Sequence, residues 1–314
     1  MYSRPAAIAC AVARASFFAL TLSSVAHAAT LEVGAGKQYA KPSAALGAAG
    51  SGDHILVHEG TYFDCGQIIG DNITFEGVGD PAKIILTDKT CNGKALLIIG
   101  GNNDAVKNLT LQRARVPDGN GAGIRAEGGN LTVDGVHFVN NQDGILGADN
   151  PAATIIVRNS EFTKNGVCNG YCAHAIYVGH VALLHVENSK FRETKDGHDI
   201  KSRALRTEVV NVDIANGDDG TGSYMVEVPE GGSLVVKNSS FAKGPKAENH
   251  TVIAIGTEGV NQPTDEITIT NNHVSNTGNY SATFVNNITA TEAHLHGNVL
   301  SGPIKPLNGD GTAD

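Results

Sequence analysis

The densest chemistry in the chain lies in the segment KDGHDIKSRA, residues 195–204. Asp196, His198, Asp199, Lys201 and Arg203 fall there within eight residues. The phrase CAHAIYVG supplies His174 and Tyr177 earlier in the chain, and GSYMVEVP supplies Tyr224 and Glu227 later. An imidazole can take a proton, a phenol can give one, and two cations can hold the negative charge formed in between. Arg203 suits a bidentate grip on a carboxylate, and Lys201 a point charge or a base. Together these residue types fit removal of a proton that is acidified by a neighbouring carboxylate.

Such a set works only if the chain brings it to one place, and the repeats supply the means. Thirty-eight Gly, no Trp, abundant Asn and short β-branched runs describe many brief strands joined by tight turns. NLTLQ, LTVDGVHF, IIVRNSEF, LHVENSKF, VVNVDI, LVVKNSSF, ITITNNHV and LHGNVL repeat one pattern. Its bend falls at Asn108, Gly135, Asn159, Asn188, Asn211, Asn238, Asn271 and Gly297, at intervals of 27, 24, 29, 23, 27, 33 and 26. A period in the twenties with local insertions signals a solenoid. Leucine-rich repeats would show a leucine scaffold and a helix in each unit. Here each unit carries a second apolar strand instead: GIRAE, GILGA, AIYVG, DIKSR, MVEVP, VIAIG and TFVNN. The spacing therefore predicts an all-β, right-handed parallel β-helix. Asn suits the bend because it tolerates left-handed backbone, and stacked copies can hydrogen-bond one another.

Aligning the second strands places Ile124, Ile145, Ile176, Ile200, Val226 and Ile253 inward. The residues after them form an outward column: Arg125, Leu146, Tyr177, Lys201, Glu227 and Ala254. Coils are about 4.8 Å apart, so His174, Tyr177, His198, Lys201 and Arg203 should meet in a patch of about 10–15 Å. In that patch His198 or His174 is the expected base, Tyr177 or Tyr224 the proton donor, and Asp196 and Asp199 supporting acids. Arg125, Tyr224 and Glu227 are expected substrate contacts. The plain alternative is a solvated surface, with Lys201 opposite Glu227 as a cross-strand pair worth about a few tenths of a kcal/mol.

The N-terminus reads as a secretory signal over residues 1–28. Arg4 and Arg14 precede the apolar run Ala15–Leu22, and Ala26-His27-Ala28 offers small residues for cleavage. Its loss would leave 21 Lys+Arg against 32 Asp+Glu, a net charge of −11. An acidic body argues against nucleic-acid binding, and no long apolar run follows to insert in a membrane. The expected product is a secreted or periplasmic monomer with one domain over 29–302 and an unpatterned, fraying tail over 303–314. Cys65, Cys91, Cys168 and Cys172 remain, and pairing within coils favours Cys65–Cys91 and Cys168–Cys172 over zinc ligation. PSAALGAA, residues 42–49, should form a helix that caps the open end.

The run SGDHILVHEGTY resembles the "GDTI…PGTY" opening of many carbohydrate-active β-helix proteins. Asp196-Gly197-His198-Asp199 is similar to the Asp-Pro-His-Asp motif of mannuronan epimerases, with Gly197 in place of Pro and ETK where a Tyr-Gly phrase usually precedes. The Lys201/Arg203 pair resembles in type the basic residues of β-helix polysaccharide lyases. These resemblances imply an acidic polysaccharide as partner and attack at the C5 proton of a uronate. Calcium is a possible cofactor, because lyases of this fold often use it to neutralise uronates. Two rivals belong to other classes. A glycoside hydrolase would need a spaced carboxylate pair, and Asp196 and Asp199 sit close together in one coil. A non-catalytic binding or adhesion solenoid would lean on stacking aromatics, yet there is no Trp, and Tyr171, Tyr177 and Tyr224 are the only aromatics expected near the patch.

Overall fold

The computed structural model describes residues 1–2 and 28–314; most of the expected leader therefore lies outside the described residues. The rest is a right-handed parallel β-helix. Each coil contributes one strand to each of three parallel sheets, of 12, 10 and 10 strands. One coil shows the plan: Val181–Glu187 in the first sheet, Lys190–Arg192 in the second, Ile200–Ser202 in the third. The inward alternation follows the sequence pattern, with Ile124, Ile145, Ile176, Ile200, Val226 and Ile253 all fully buried. Phenylalanines fill the second-sheet side of this core, where Phe138, Phe162 and Phe191 stack at 4.5 and 4.7 Å.

The bend between first and second sheets sets the register. Asn108, Gly135, Asn159, Asn188, Asn211, Asn238, Asn271 and Gly297 all have positive φ, between 49° and 67°. Each donates its backbone N–H to a carbonyl of the following coil, from Asn108 to Asp134 at one end to Gly297 to Asp314 at the other. The expected side-chain stack of bend asparagines forms between Asn211 and Asn188. A second ladder runs one position further on, where Ser160 N–H donates to Ser189 Oγ and Ser239 N–H to Asn272 Oδ1.

The cap is the helix Pro42–Ala48, begun by a proline at its first turn and tied by Ser43 N–H to Asp64. Leu46 drops so close to the first coil that a Cβ on Gly66 would lie 2.3 Å from its Cδ1. Both disulfides join as read from the sequence, Cys65–Cys91 and Cys168–Cys172. No helix among the described residues is long and apolar enough to cross a membrane. The tail is a correction. Residues 303–314 do not fray: Ile304–Asn308 pairs with the third sheet and Gly311–Ala313 with the first. Pro303, Pro306, Gly309 and Gly311 break up the strand pattern, yet the preceding coil offers an unpaired edge on which even a weak segment adds.

Left-handed backbone penalises L-residues with a Cβ by about 1–2 kcal/mol, and Asn less than most. Asn188→Val should therefore lower unfolding free energy by about 1–2 kcal/mol in urea titration, while Asn188→Gly should lose well under half of that.

Candidate active site

The outward column of the third sheet forms in the expected order. Arg125, Leu146, Tyr177, Lys201, Glu227 and Ala254 are successive partners. One face of this column is a cleft of about 440 Å³, lined by His174, Tyr177, Asp196, His198 and Lys201 with Tyr171, Cys172, Ser223 and Glu248.

The histidines sit in a ladder that the strand stacking creates. Asp143 Oδ1 accepts the backbone N–H of His174 at 2.7 Å. His174 Nδ1 accepts that of His198 at 2.9 Å, and His198 Nδ1 that of Tyr224 at 3.2 Å. The rings stack accordingly, His174 on His198 at 4.6 Å and His198 on Tyr224 at 5.1 Å. A nitrogen that accepts from an amide carries no proton, so this network assigns the hydrogen of both neutral rings to Nε2. Neither imidazole then has a lone pair free for substrate. The expectation of a histidine base is corrected: His174 and His198 are Nε2–H donors. Burial, together with neighbouring His198 and Lys201, holds His174 well below the ordinary value of 6.5. Burial also pushes the Asp143 carboxyl up to about 7.

Glu227 is a second correction. It is only 3% exposed and lies beneath the cleft rather than in it. Its Oε2 is 3.1 Å from the neutral His198 ring at Nε2 and 3.2 Å from the Lys201 ammonium at Nζ, without hydrogen-bond alignment to either. Its Oε1 accepts from Thr257 at 2.7 Å. Burial alone would raise this carboxyl, but His198, Lys201 and Thr257 hold it down at about 2. Glu227 thus orients the floor and does not reach a substrate. Lys201, at 8% exposure, is no solvated surface cation either.

Tyr177 stands at the junction. Its hydroxyl oxygen accepts from Arg203 Nε at 3.0 Å, leaving the O–H free to donate into the cleft. Lys201 Nζ and the Arg203 guanidinium lie 5.8 and 5.7 Å from its ring centre. Arg203 also donates to Glu230 and Glu258, and Lys201 to Glu258 at 2.6 Å. Although burial opposes it, Tyr177 and Glu258 raise the Arg203 pKa further.

The remaining expected residues divide. Asp196 edges the cleft but spends its carboxylate on a wall: Oδ1 accepts from Thr221 at 3.0 Å and Oδ2 from Cys168 N–H at 3.3 Å. Asp199 points into the solenoid, where Thr194 donates to it at 2.6 Å and burial raises its pKa. Asp199 sits in the entry turn before the strand Ile200–Ser202, where period-two alternation does not hold: it and Ile200 are both buried, so it does not serve the cleft. Tyr224 packs against His198. Arg125 lies two coils from Tyr177, past Leu146, and is paired with Glu127 at 3.4 Å. No group of three or more His, Cys, Asp or Glu side chains among the described residues is placed to hold a metal ion.

The sequence set Tyr171 near the patch but did not foresee the antiparallel hairpin Val167–Asn169/Tyr171–Ala173 that presents it at 88% exposure. Nor did it single out Glu258, in the segment after Ile255, which binds Lys201 and Arg203. Their signal was in the repeat intervals: 29 and 33 are the longest two, and they contain these insertions.

A right-handed parallel β-helix with an imidazole, phenol and cation cleft on one sheet is thus the class that fold and site define. No protein-family model matches the chain, and no curated protein matches its sequence. Solved structures do match. An alginate lyase from Paenibacillus sp. strain FPU-7 aligns with a TM-score of 0.69 at 18% identity, over 91% of this chain and 99% of that one. ORF18 of Geobacillus virus E2 aligns at 0.51 and 12% identity, over 84% of this chain and 55% of that one. The A-module of an Azotobacter vinelandii mannuronan C-5 epimerase is more distant, at 0.38 and 15% identity over 86% and 93% of the chains. At these identities the likeness is one of fold.

Two outcomes are expected from this geometry. Nitrogen NMR should find both histidines as Nε2–H tautomers, with His174 failing to titrate as pH falls through 6.5. The unfolded chain takes up that proton and the folded chain does not, so this histidine lowers stability below that pH. Lys201→Ala should leave the buried Glu227 carboxylate with only His198 and Thr257 against it and reduce stability by about 3 kcal/mol, measured by denaturant titration. An ordinary surface lysine would move it by about 0.5 kcal/mol at most.

Proposed function

We propose that the protein is an exported enzyme that removes the C5 proton of a uronate in an acidic polysaccharide, most simply as a lyase. The observation that carries this reading is the Tyr177 hydroxyl, which faces the cleft with Arg203 on its oxygen and Lys201 beside it. On substrate binding Tyr177 releases its O–H proton to solvent, with Arg203 and Lys201 beside the resulting phenolate, and the phenolate then takes the C5 proton. Nε2–H of His174 donates toward the substrate carboxylate as enolate charge develops on it, while His198, turned to Glu227, braces that ring from behind. The protonated Tyr177 then returns its proton to the departing O4, and the C4–O4 bond breaks to leave a C4–C5 double bond. One group serves twice, which suits a cleft whose proton carriers lie on a single floor.

Epimerisation shares the first step but needs a proton delivered from the opposite face of the ring. Tyr171, on the hairpin wall, is the residue whose place favours that second reading. Hydrolysis lacks support, since Asp196 is engaged with the hairpin, Asp199 is interior and Glu227 lies beneath the floor. The likeness to an alginate lyase supports a uronate polymer as substrate, and two disulfides suit an oxidising compartment outside the cytoplasm. Arg125, two coils along, is proposed to meet a neighbouring sugar of the same chain.

Incubation with a panel of uronate polymers should generate absorbance from unsaturated ends; C5 proton exchange without that absorbance would mean epimerisation instead. Tyr177→Phe should cost about 10²–10⁴-fold in rate with little change in melting temperature. Full activity in that variant would remove Tyr177 from the chemistry. Silence on every polymer would favour a binding solenoid.

A further inference from the structure

The two cleft cations already hold a carboxylate. Glu258 places Oε1 2.6 Å from Lys201 Nζ and Oε2 2.5 Å from Arg203 Nη2, one oxygen to each cation. These are the lengths of charge-assisted hydrogen bonds. We propose that Glu258 stands in the subsite for the substrate carboxylate and is displaced when a uronate binds, an inference that rests on the uronate reading above.

Three features of the structure lead there. Charge comes first. Lys201 and Arg203 are met by Glu227, Glu230 and Glu258, so two cations face three carboxylates. An anionic sugar entering beside all three would meet a net negative site, whereas replacing Glu258 leaves the count unchanged. Second, neither cation depends on Glu258 for its position. Lys201 keeps Glu227, and Arg203 keeps Glu230 and the Tyr177 hydroxyl. The receptor geometry therefore survives departure of the internal carboxylate.

Third, only a side chain has to move. Glu258 N–H is tied to Pro229 O at 2.8 Å, and Asn261 and Gln262 N–H both bind Glu230 O at 2.9 Å. Positive φ at Gly256 (80°) and Gly259 (114°) brackets the turn that carries the residue. Yet the Glu258 side chain itself is 43% exposed, in contrast to Glu227 at 4%. Glu227 is built in; Glu258 is held at the surface by two bonds that another carboxylate can make equally well.

The test uses D-glucuronate as a carboxylate probe and D-glucose as its neutral counterpart, read by thermal shift and calorimetry. Glu258→Ala vacates the subsite, and Glu258→Gln keeps the shape without the charge. Glucuronate should stabilise Glu258→Ala saturably and bind it about tenfold or more tightly than wild type, the scale of one exchanged ion pair. Glu258→Gln should show a smaller gain of the same sign, and glucose should give none. Equal glucuronate affinity in wild type and both variants, or an equal response to glucose, overturns the inference. The catalytic reading fails separately: if Glu258→Ala gains glucuronate binding while Tyr177→Phe retains full turnover, the subsite stands and the assigned chemistry does not. If polymer is cleaved and Glu258→Ala gains nothing, the reverse holds.

Discussion

Everything in the cleft depends on one hydrogen bond repeated along the solenoid. At each bend a left-handed Asn or Gly donates its N–H to a carbonyl one coil further on, and the column is unbroken from Asn108 to Gly297. A slip of one residue there would turn every following strand inside out, because side chains alternate with period two. Held in register, each strand of the third sheet presents equivalent positions to its neighbours. Residues far apart in sequence then become contacts at coil spacing, as Tyr177, Lys201 and Glu227 do.

The same stacking fixes protonation as well as position. Where the aligned position carries Asp143, His174 and His198 in consecutive coils, each side chain accepts the N–H of the coil that follows. The backbone, already committed to its register, thereby dictates which imidazole nitrogen bears hydrogen. Proton carriers on such a floor are preorganised without a separate shell of supporting residues, and the cost of reorganising them in the reaction is avoided. Glu227 adds the one element the stacking cannot supply, a buried negative charge that holds His198 and Lys201 toward each other.

How much of this was legible follows from that geometry. Periodicity identified the solenoid, the inward set and the outward column, because all three depend on register alone; both disulfides followed instead from pairing cysteines within a coil. The base assignment failed because the ladder uses imidazole nitrogens as backbone caps, a role that residue type does not reveal. Asp199 was misplaced by reading a cluster in sequence as a cluster in space, when the turn before the strand Ile200–Ser202 breaks the alternation and buries it. Glu258 and the hairpin that carries Tyr171 were invisible to alignment because insertions have no counterpart in adjacent coils. Only the interval lengths recorded them. Residues 303–314 were misjudged for a related reason: local propensity was poor, and the template that orders them belongs to the previous coil.

Asp199 nevertheless contributes to the cleft from inside. Burial raises its pKa and lowers that of Lys243, which is fully enclosed and donates to the carbonyl of Ser223. Asp199 Oδ2 and Asn216 Nδ2 are both buried and lack protein partners, an acceptor and a donor suited to interior water. Two ionisable groups buried near each other in this way seldom add net stability, since desolvation offsets their attraction. Its effect is on shape. Thr194 bonds to Asp199, Gly222 N–H to the Thr194 carbonyl, and Ser223 N–H to that of Gly197. The polar cluster thus ties the turn entering one third-sheet strand to the turn entering the next. Those two turns carry His198 and Ser223 to the cleft, so the solenoid accepts charged groups in its core directly behind the surface that must hold its shape.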